Sequence, residues 1–263
     1  MRTRLVILAA MASIGISAEQ VWAEPDVALI SDRGGFLVSS TTVGDGRLHI
    51  EAGVNYERDK RGALKSQAWT TPAALRYGIG NDLELRLESD AFTRQREGGT
   101  GADGKQSGFA DAALGVKWHD VHDGATFGSA AWWLSMELPS GSRAFKGDGL
   151  RPALYRVMEW TLSADDGLAL MPGVKYDRDA TGHFWSGALG GAYNRALSER
   201  VGASLAIEGK QLAGSRHGGN VVTSTISLAY LLNKDVQLDT GASFGLNEHS
   251  PDFAWTAGVS ARF

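Results

Sequence analysis

The sequence predicts an all-β fold: a closed antiparallel transmembrane β-barrel of about 12 strands with long outer loops and short periplasmic turns. Apolar and polar residues alternate with the period of two that marks a two-faced strand. No helical stripe competes with this pattern after residue 25, and long and short connections alternate between the strands. Barrels of bacterial outer membranes show this asymmetry of connections and an even number of strands.

The N-terminus has the features of a secretory signal peptide. Arg2 and Arg4 precede the apolar run Leu5–Ile16, and residues 21–23 place small residues at the positions that a signal peptidase reads. The alternative is a membrane anchor, but the apolar run is shorter than the ~20 residues that a spanning helix needs. The predicted organisation is a signal peptide, an N-terminal periplasmic segment and a transmembrane barrel, at residues 1–23, 24–46 and 47–263.

Composition narrows the class of protein. Apolar residues make up 43% of the chain and charged residues 21%, with 34 Gly, 6 Pro, no Cys and a net charge of −4. These values argue against disorder, against disulfides and against a basic nucleic-acid surface. No segment after the signal approaches the length of a helical membrane span. A soluble β protein and a membrane β-barrel remain as alternatives.

The period of two places the twelve strands. In "DLELRLESD", Leu83, Leu85 and Leu87 alternate with charged residues. Pro72 and Pro172 fall inside predicted strands, where each removes a ladder donor, and we expect β-bulges there. The predicted strands are about 47–58, 67–77, 83–92, 108–118, 126–138, 152–162, 168–176, 184–197, 201–212, 220–232, 236–245 and 252–263.

Aromatic residues favour the membrane barrel over the soluble alternative. The final residues of each even-numbered strand include an aromatic residue in phase with the apolar face, on the short-turn side. Amphipathic rings prefer a membrane interface, so we expect an aromatic girdle at this level. Its predicted members are Tyr77, Trp118, Trp160, Tyr193, Tyr230 and Phe263. The closing stretch "FAWTAGVSARF" has the form that the barrel assembly machinery reads in outer-membrane proteins, and we expect that machinery and outer-membrane lipids as partners.

Five segments resemble one known family. They are "DRGGF" at 32–36, "TTVGDGRLHIEAGVNYERD" at 41–59, "TPAALRYGIGNDLELRLESD" at 71–90, "GFADAALGVKW" at 108–118 and the closing strand. They are similar to the outer-membrane transporter family that is named for the phenol meta-cleavage degradation pathway. The family motif usually has Pro after the Arg of the first segment, where this chain has Gly34. The resemblance implies a barrel in a Gram-negative outer membrane that transports small organic compounds, and it brings no catalytic residues.

Several short motifs match catalytic or metal sites, and their context argues against each. The glycines at 99–104 have the spacing of a phosphate-binding loop, but a strand follows them where that site needs a helix. Residues 241–245 spell G-x-S-x-G within a strand instead of at a strand-to-helix turn. We predict no enzyme, no cofactor and no metal site. The remaining candidates for ligands are His119, Asp120, His122 and Asp123 on one short turn, and His183, His217 and His249 in three outer loops.

The polar phase of the strands is rich in charge. Charges facing lipid at mid-depth cost roughly 2–4 kcal/mol, so we expect these side chains to point inward. The candidates for lining the lumen are Glu51, Glu57, Arg76, Glu84, Arg86, Glu88, Asp90, Asp111, Lys117, Glu137, Glu208, Lys210 and Asp239. They either line an open, porin-like channel or pair into a salt-bridge network that fills the barrel. The expected function is passive or facilitated transport of small organic solutes; the alternatives are a structural or adhesive barrel with a plugged lumen and an outer-membrane hydrolase.

Overall fold

The computed structural model describes residues 29–99, 103–122, 126 and 128–263, and the predicted signal peptide lies outside these ranges. No helix among the described residues has the length and hydropathy of a membrane span. The strands are β1 (Leu48–Arg61), β2 (Leu64–Thr70), β3 (Ala73–Ile79), β4 (Leu83–Ser89), β5 (Phe92–Gly98), β6 (Gly104–Phe109), β7 (Ala112–Val121), β8 (Ser129–Leu138), β9 (Arg151–Thr161), β10 (Asp166–Asp179), β11 (Gly182–Ala196), β12 (Val201–Leu212), β13 (Val221–Asn233), β14 (Val236–Gly245) and β15 (Phe253–Arg262), and a short 3-10 helix spans Ser215–His217.

Twelve of the strands close into an antiparallel barrel. Around the wall they run in the order β1, β3, β4 and then β7 to β15, and β15 pairs back onto β1. The closing register places Ile50 opposite Ala261 and Tyr56 opposite Trp255. Closure gives each strand of the wall two neighbours, so that its backbone donors and acceptors are bonded within the protein. The predicted closed barrel of twelve strands is confirmed.

The remaining three strands continue the wall upward on the long-loop side. β2 leads into β3, β4 leads into β5 and β6 leads into β7, with breaks at Thr71–Pro72, Asp90–Ala91 and Ala110–Asp111. β2 pairs with the upper half of β1, β5 pairs with β2, and β6 pairs with β5. We call this four-stranded extension, made of residues 55–61 and of β2, β5 and β6, the upper sheet.

A bulge at Ala91 changes which side chains face outward in the upper sheet. Ala73 pairs with Ser89 below the break, whereas Thr70 pairs with Thr93 above it, so one extra residue is inserted on the β4–β5 side. Ala91 accommodates this extra residue with a backbone φ of 46°, in the left-handed region. As a result, the outward positions are odd-numbered in β4, up to Leu87, and even-numbered in β5, from Phe92 onward.

The two prolines are accommodated without the expected bulges in their own pairings. Pro72 falls in the break between β2 and β3, and its carbonyl accepts a bond of 3.0 Å from the Gly53 backbone N–H. Pro172 stays paired with Leu189, while the ladder between β10 and β9 omits two positions and resumes in the same register. The missing donor is therefore tolerated by a local gap in the ladder, because a proline removes only one hydrogen bond.

The connections differ from prediction on the long-loop side. Residues 139–150, 213–220 and 246–252 are long outer connections, but 62–63 and 180–181 are two-residue hairpins. In both hairpins the strands continue beyond the predicted end, so residues expected in loops extend the wall. The opposite end carries the connections 80–82, 122–128, 162–165, 197–200 and 234–235.

The outward face of the wall is apolar. Leu87, Leu114 and Ile226 expose 43%, 51% and 53% of their surface, as suits contact with hydrocarbon instead of water. The six residues predicted to form the aromatic girdle lie at the short-turn ends of their strands, and Tyr77 and Trp118 are exposed to 45% and 53%. An outward ion pair also occurs near this end, where Arg156 bonds Asp120 at 2.5 Å and its guanidinium carbon lies 4.8 Å from the Trp132 ring centroid.

Candidate functional site: the lumen and its N-terminal plug

The described part of the N-terminal segment, residues 29–46, lies inside the barrel. This differs from the predicted periplasmic position of residues 24–46. The segment enters near the β13–β14 turn, where the Leu29 N–H donates to the Lys234 carbonyl at 2.9 Å, and leaves beside Gly78, whose carbonyl accepts from the Gly46 N–H at 3.1 Å. Its contacts reach around the whole wall, so we call residues 29–46 the plug.

Asp32 of the plug is the centre of a buried ion cluster. One oxygen of its carboxylate, Oδ2, lies 2.6 Å from Arg86 Nη1, 3.3 Å from Arg76 Nη2 and 3.3 Å from Lys117 Nζ. The other oxygen accepts the Ser39 backbone N–H at 2.8 Å. All four charged side chains are nearly free of solvent, which makes each ion pair dependent on its partners.

Carboxylates from the wall complete the cluster. Glu84 bonds Arg76 at 2.8 Å and Arg86 at 3.2 Å, and Glu51 bonds Arg76 at 3.0 Å. Glu88 bonds the other side of Arg86 at 2.5 Å. We call these seven residues the ion cluster: Asp32, Glu51, Arg76, Glu84, Arg86, Glu88 and Lys117.

The strand register explains why the carboxylate of the plug lies among cations of the wall. Arg76 and Arg86 are direct cross-strand partners on β3 and β4, and like charges in that position repel. Burial by itself would raise the pKa of the Asp32 carboxyl, but Arg76, Lys117 and Arg86 outweigh burial and hold its pKa well below its usual range. The Asp32 carboxylate therefore stays ionised and compensates the cations of the wall.

Arg33 anchors the plug to the opposite side of the wall. Its Nε donates to the two carboxylate oxygens of Asp239 at 3.3 and 3.1 Å, and its Nη2 donates to the Thr256 hydroxyl at 3.3 Å. The guanidinium occupies a slot between Gly53 and Gly258, where a Cβ on either glycine would overlap it. Small residues on the inner face of β1 and β15 thus admit a large side chain from the plug.

Backbone groups of the plug are satisfied by acids of the wall. The Phe36 N–H donates to Glu208 at 3.0 Å, the Ser40 N–H to Glu159 at 2.8 Å and the Val43 N–H to Glu84 at 3.0 Å. A segment without secondary structure needs such acceptors when it is removed from water. The inward acids therefore hold the plug as well as lining the lumen.

Apolar contacts fill the space around the middle of the plug. Val38 packs in a buried cluster with Trp133, Val157 and Met171. Leu37 packs against three buried alanines of β10, β11 and β12, which are Ala169, Ala192 and Ala206. The plug is thus fixed by packing at its centre and by ion pairs on both sides.

Two cavities lie on opposite sides of the plug. The outer cavity, of about 740 Å³, opens toward the long loops and is bounded by residues such as Asp90, Glu137 and Trp255. The inner cavity, of about 600 Å³, opens toward the short turns and is bounded by residues such as Thr161 and Asn194. Both are lined by the same part of the plug, Arg33, Gly34, Gly35 and Val38.

An aromatic wall borders the outer cavity. The rings of Trp133 and Tyr155 are stacked with centroids 4.7 Å apart, and Phe36 meets Tyr155 edge to face at 5.9 Å. The Arg86 guanidinium carbon lies 4.9 Å from the Trp133 centroid. Gly173 leaves room for the Tyr155 ring, because a Cβ there would overlap it.

The outer cavity carries excess negative charge. Its lining includes seven carboxylates and four cations, which leaves a formal charge of −3. The carboxylates are Asp32, Glu51, Glu57, Glu88, Asp90, Asp111 and Glu137, and the cations are Arg33, Arg86, Arg151 and Lys210. Asp90 and Glu57 are in no ion pair among the described residues, whereas Glu88 is paired with Arg86.

Asp111 holds the longest outer connection, residues 139–150, against the rim of this cavity. Its two carboxylate oxygens accept the Gly141 and Gly147 backbone N–H groups at 2.8 Å each. Arg151 bonds the same carboxylate at 2.8 Å and also bonds Glu137. The 139–150 loop therefore has a fixed position beside the edge of β6, where the Ser142 N–H donates to the Phe109 carbonyl at 2.8 Å.

The structure gives each predicted lumen residue a location. Six of the thirteen belong to the ion cluster, and Glu208 and Asp239 bind the plug. The other five border the outer cavity: Glu57, Asp90, Asp111, Glu137 and Lys210. Sequence reasoning missed the plug residues Asp32, Arg33 and Phe36, because a segment without strand period was assigned to the periplasm although "DRGGF" had been singled out.

The structure groups the candidate ligand residues differently from the prediction. Asp82 joins His119 and His122 with ligand atoms within 4.8 Å of one another, whereas Asp120 bonds Arg156 and Asp123 lies outside the described residues. His183 was predicted in a loop but lies in β11, because the strands of this hairpin continue further than predicted, and it stacks on Tyr176. His217, in the 3-10 helix, bonds Asp179 at 2.6 Å, and His249 lies in the 246–252 connection. Residues 241–245 lie in strand β14, where they do not form a turn into a helix.

Comparison with known families identifies the chain. The family described as "Putative MetA-pathway of phenol degradation" matches residues 31–263, which include the plug and the barrel. The chain belongs to this family. A search by sequence among curated proteins finds no significant match.

Solved structures share the fold at low sequence identity. The COG4313 outer membrane channel from Pseudomonas putida F1 is 11% identical with a TM-score of 0.68, over 86% of this chain and 98% of that one. The β domain of the Bordetella autotransporter BrkA is 12% identical with a TM-score of 0.55, over 82% and 99%. The KdgM porin, in complex with oligogalacturonate, is 13% identical with a TM-score of 0.50, over 80% and 99%. The family member therefore has the fold of outer-membrane β-barrels.

Proposed function

We propose that this protein is a channel of the bacterial outer membrane for small organic solutes, and that the plug controls passage. The observation that carries the proposal is the pair of cavities that open toward opposite ends of the barrel and are separated by the plug. Their volumes fall in the range of ligand sites for small molecules, roughly 300–1,000 Å³. Displacement of Arg33–Val38 would join the two cavities without opening the strand ladder.

The aromatic wall suggests the class of solute. Trp133, Tyr155 and Phe36 offer ring faces and edges to a solute in the outer cavity, and the negative lining disfavours anions. The family description refers to phenol degradation, and one neighbour of the same fold is an outer membrane channel. Small aromatic molecules that are neutral or cationic fit these features best, and their passage would be passive or facilitated, without enzymatic turnover.

The barrel assembly machinery and the surrounding lipids are the proposed partners. Phe263 exposes 72% of its surface beside β15, and its backbone bonds Leu48 in both directions, at 2.8 and 3.1 Å. The closing strand thus presents an aromatic end group where β15 pairs with β1. Insertion into the membrane and closure of the barrel would be coupled at this pairing.

A structural barrel with a permanently closed lumen is the second candidate, and the ion cluster favours it. A fully paired network of seven charges, of which all but Glu88 are buried, holds the plug on one side, and breaking such pairs is costly. The two candidates differ in one property, which is whether the plug moves under native conditions.

Solute flux decides between the two candidates. The full chain would be reconstituted into liposomes and planar bilayers, and osmotic swelling would be followed for small solutes with and without an aromatic ring. A channel shows conductance and size-dependent swelling, and Arg33→Gln, which weakens the plug anchor, increases both. Trp133→Ala should lower swelling for aromatic solutes more than for aliphatic ones of equal size. Absence of flux in both the native chain and Arg33→Gln would support the structural barrel.

A further inference from the structure

The outward face of the upper sheet carries a concentrated positive charge. Cross-strand pairing puts Arg58, Gln67, Arg96 and Lys105 in one row, with Arg94 in the row below and Lys60 beside Lys65 in the row above. All six cations are exposed. We call them the basic face: Arg58, Lys60, Lys65, Arg94, Arg96 and Lys105.

The basic face lies immediately above the apolar band of the wall. Tyr56 and Trp69 share the row of Arg94 and contact each other with ring centroids 4.8 Å apart. One row lower, Phe92 and Phe109 meet edge to face at 5.9 Å and are exposed to 44% and 61%. Rings at this level mark the outer membrane–water interface, so the cations lie at the depth of lipid headgroups.

The cations of the basic face have no acidic partners in the described part of the chain. None of the six takes part in an ion pair there, whereas Arg33, Arg76, Arg86 and Lys117 in the lumen are all paired. The acids of the same strands, such as Asp59 and Glu97, occupy inward positions, and only Asp103 shares the face, at its upper tip beside Gly98. Six like charges in one patch repel unless an external anion compensates them.

The bulge at Ala91 is what creates this arrangement. With uninterrupted alternation, Arg94 and Arg96 would point inward together with Arg86. The extra residue turns both arginines outward, next to Arg58 and Lys105. A single backbone feature with a φ of 46° thus places two more cations on the lipid-facing side.

We infer that the basic face binds the phosphate groups of the glycolipid of the outer leaflet, lipopolysaccharide. Rows of side chains are about 7 Å apart along the strands and neighbouring strands about 4.8 Å apart, so the face covers about 14 by 15 Å. Arginine forks suit phosphate oxygens bidentately. The exposed apolar side chains of the wall below, such as Leu75, Leu87 and Leu114, can receive acyl chains. The lipid is thereby held by headgroup and tails on one side of the barrel.

The test compares two variants with equal loss of charge. In the first, Arg58, Arg94, Arg96 and Lys105 are changed to Gln. In the matched control, four exposed cations elsewhere are changed to Gln: Arg143, Lys146, Arg178 and Arg200. None of these control cations is in an ion pair among the described residues, and heat-modified migration on gels confirms that both variants fold.

Binding is measured on the full chain in detergent as lipopolysaccharide retained after washing and as the shift in unfolding temperature on adding purified lipopolysaccharide. We expect the native chain and the control variant to retain it equally and the basic-face variant to retain at least tenfold less. Lipopolysaccharide stripped of its phosphates should bind to the native chain as weakly as intact lipid binds to the variant.

Three results would overturn the inference. The first is equal retention by the basic-face variant and the native chain. The second is equal binding of phosphatidylglycerol, which would indicate a general attraction to anionic lipid. The third is displacement of the glycolipid by millimolar inorganic phosphate, which would indicate a site for simple anions.

Discussion

Gly258 and its cross-strand partner Gly53 determine where the plug can be anchored. A side chain at either position would occupy the slot of the Arg33 guanidinium, which bonds Asp239 and Thr256 there. Glycine costs strand stability, roughly 0.5–1 kcal/mol relative to Ala, so its presence in the middle of two paired strands needs a reason. Here the reason is the close approach of Arg33.

Gly258→Ala should release the plug on this side. Displacing Arg33 leaves Asp239 buried without its cation, so we expect a lower unfolding temperature and more frequent or larger conductance steps in planar bilayers. Gly202→Ala is the matched control, since a Cβ at Gly202 meets nothing within 4 Å. Unchanged conductance and stability in Gly258→Ala would contradict the role given to the slot.

Asp32→Asn tests the centre of the ion cluster. The amide is similar in size but leaves Arg76, Arg86 and Lys117 with one negative charge fewer, and removing one partner of a buried network costs about 3–5 kcal/mol. Unfolding by urea in lipid should show a loss of this order. Asp45→Asn, an exposed acid of the same segment, should change the free energy of unfolding by less than about 0.5 kcal/mol.

At the scale of elements, the period of two was sufficient to predict the wall. Alternation follows from placing each strand between lipid and lumen, so β12 and β14 were predicted to their ends. It does not reveal where a strand continues beyond the apolar band, because β5 and β6 carry polar side chains on both faces. For this reason the predicted loop 93–107 proved to contain most of β5 and β6.

The plug could not be predicted by the same reasoning. Residues 29–46 have no regular hydrogen-bond ladder, and their partners are up to 229 positions away in sequence, as for Ser31 and Ser260. In the sequence, the only indication of a segment inside the barrel came from the inward charges of the strands. The cations of β3, β4 and β7 indicated carboxylate partners inside the barrel, and Asp32 in "DRGGF" is an acid outside the strands.

The 139–150 loop provides a prediction at this scale. Asp111→Ala removes the acceptor of two backbone N–H groups, and each lost buried bond costs about 1–3 kcal/mol. The loop should open more often, and trypsin should cut after Arg143 and Lys146 at least tenfold faster. Asp103→Ala, on the outward face of the upper sheet, should leave these cleavage rates unchanged. Equal rates in the two variants would contradict the role of Asp111 in holding the loop.

The whole molecule separates two electrostatic environments by a single layer of strands. Inside, acids and bases pair around the plug and leave excess negative charge at the outer cavity. Outside, the basic face is positive and lies next to an apolar band. Side chains of one strand alternate between the two environments. The register of the strand therefore decides whether a charged residue lies on the inner or the outer surface.

This separation leads to a prediction about selectivity. In the conducting state, with the plug displaced, the wall of the outer cavity presents six carboxylates against three cations, and a confined passage with this excess concentrates counter-ions. Cations and neutral molecules should pass more readily than anions. Reversal potentials measured in a gradient of dilute salt should show a modest cation preference, which should fade near 1 M salt, where the screening length is about 3 Å.

The double variant Glu88→Gln, Asp90→Asn locates the source of the preference. Both residues line the outer cavity, and Asp90 has no ion-pair partner within the described chain to cancel its charge. Their neutralisation should reduce the net charge of the lining from −3 to −1 and weaken the cation preference accordingly. Asp103→Asn, which removes one charge from the outward face, should not change the reversal potential. Anion preference of the native channel, or native selectivity in the double variant, would contradict this prediction. The lining charges of the outer cavity would then not determine which ions pass.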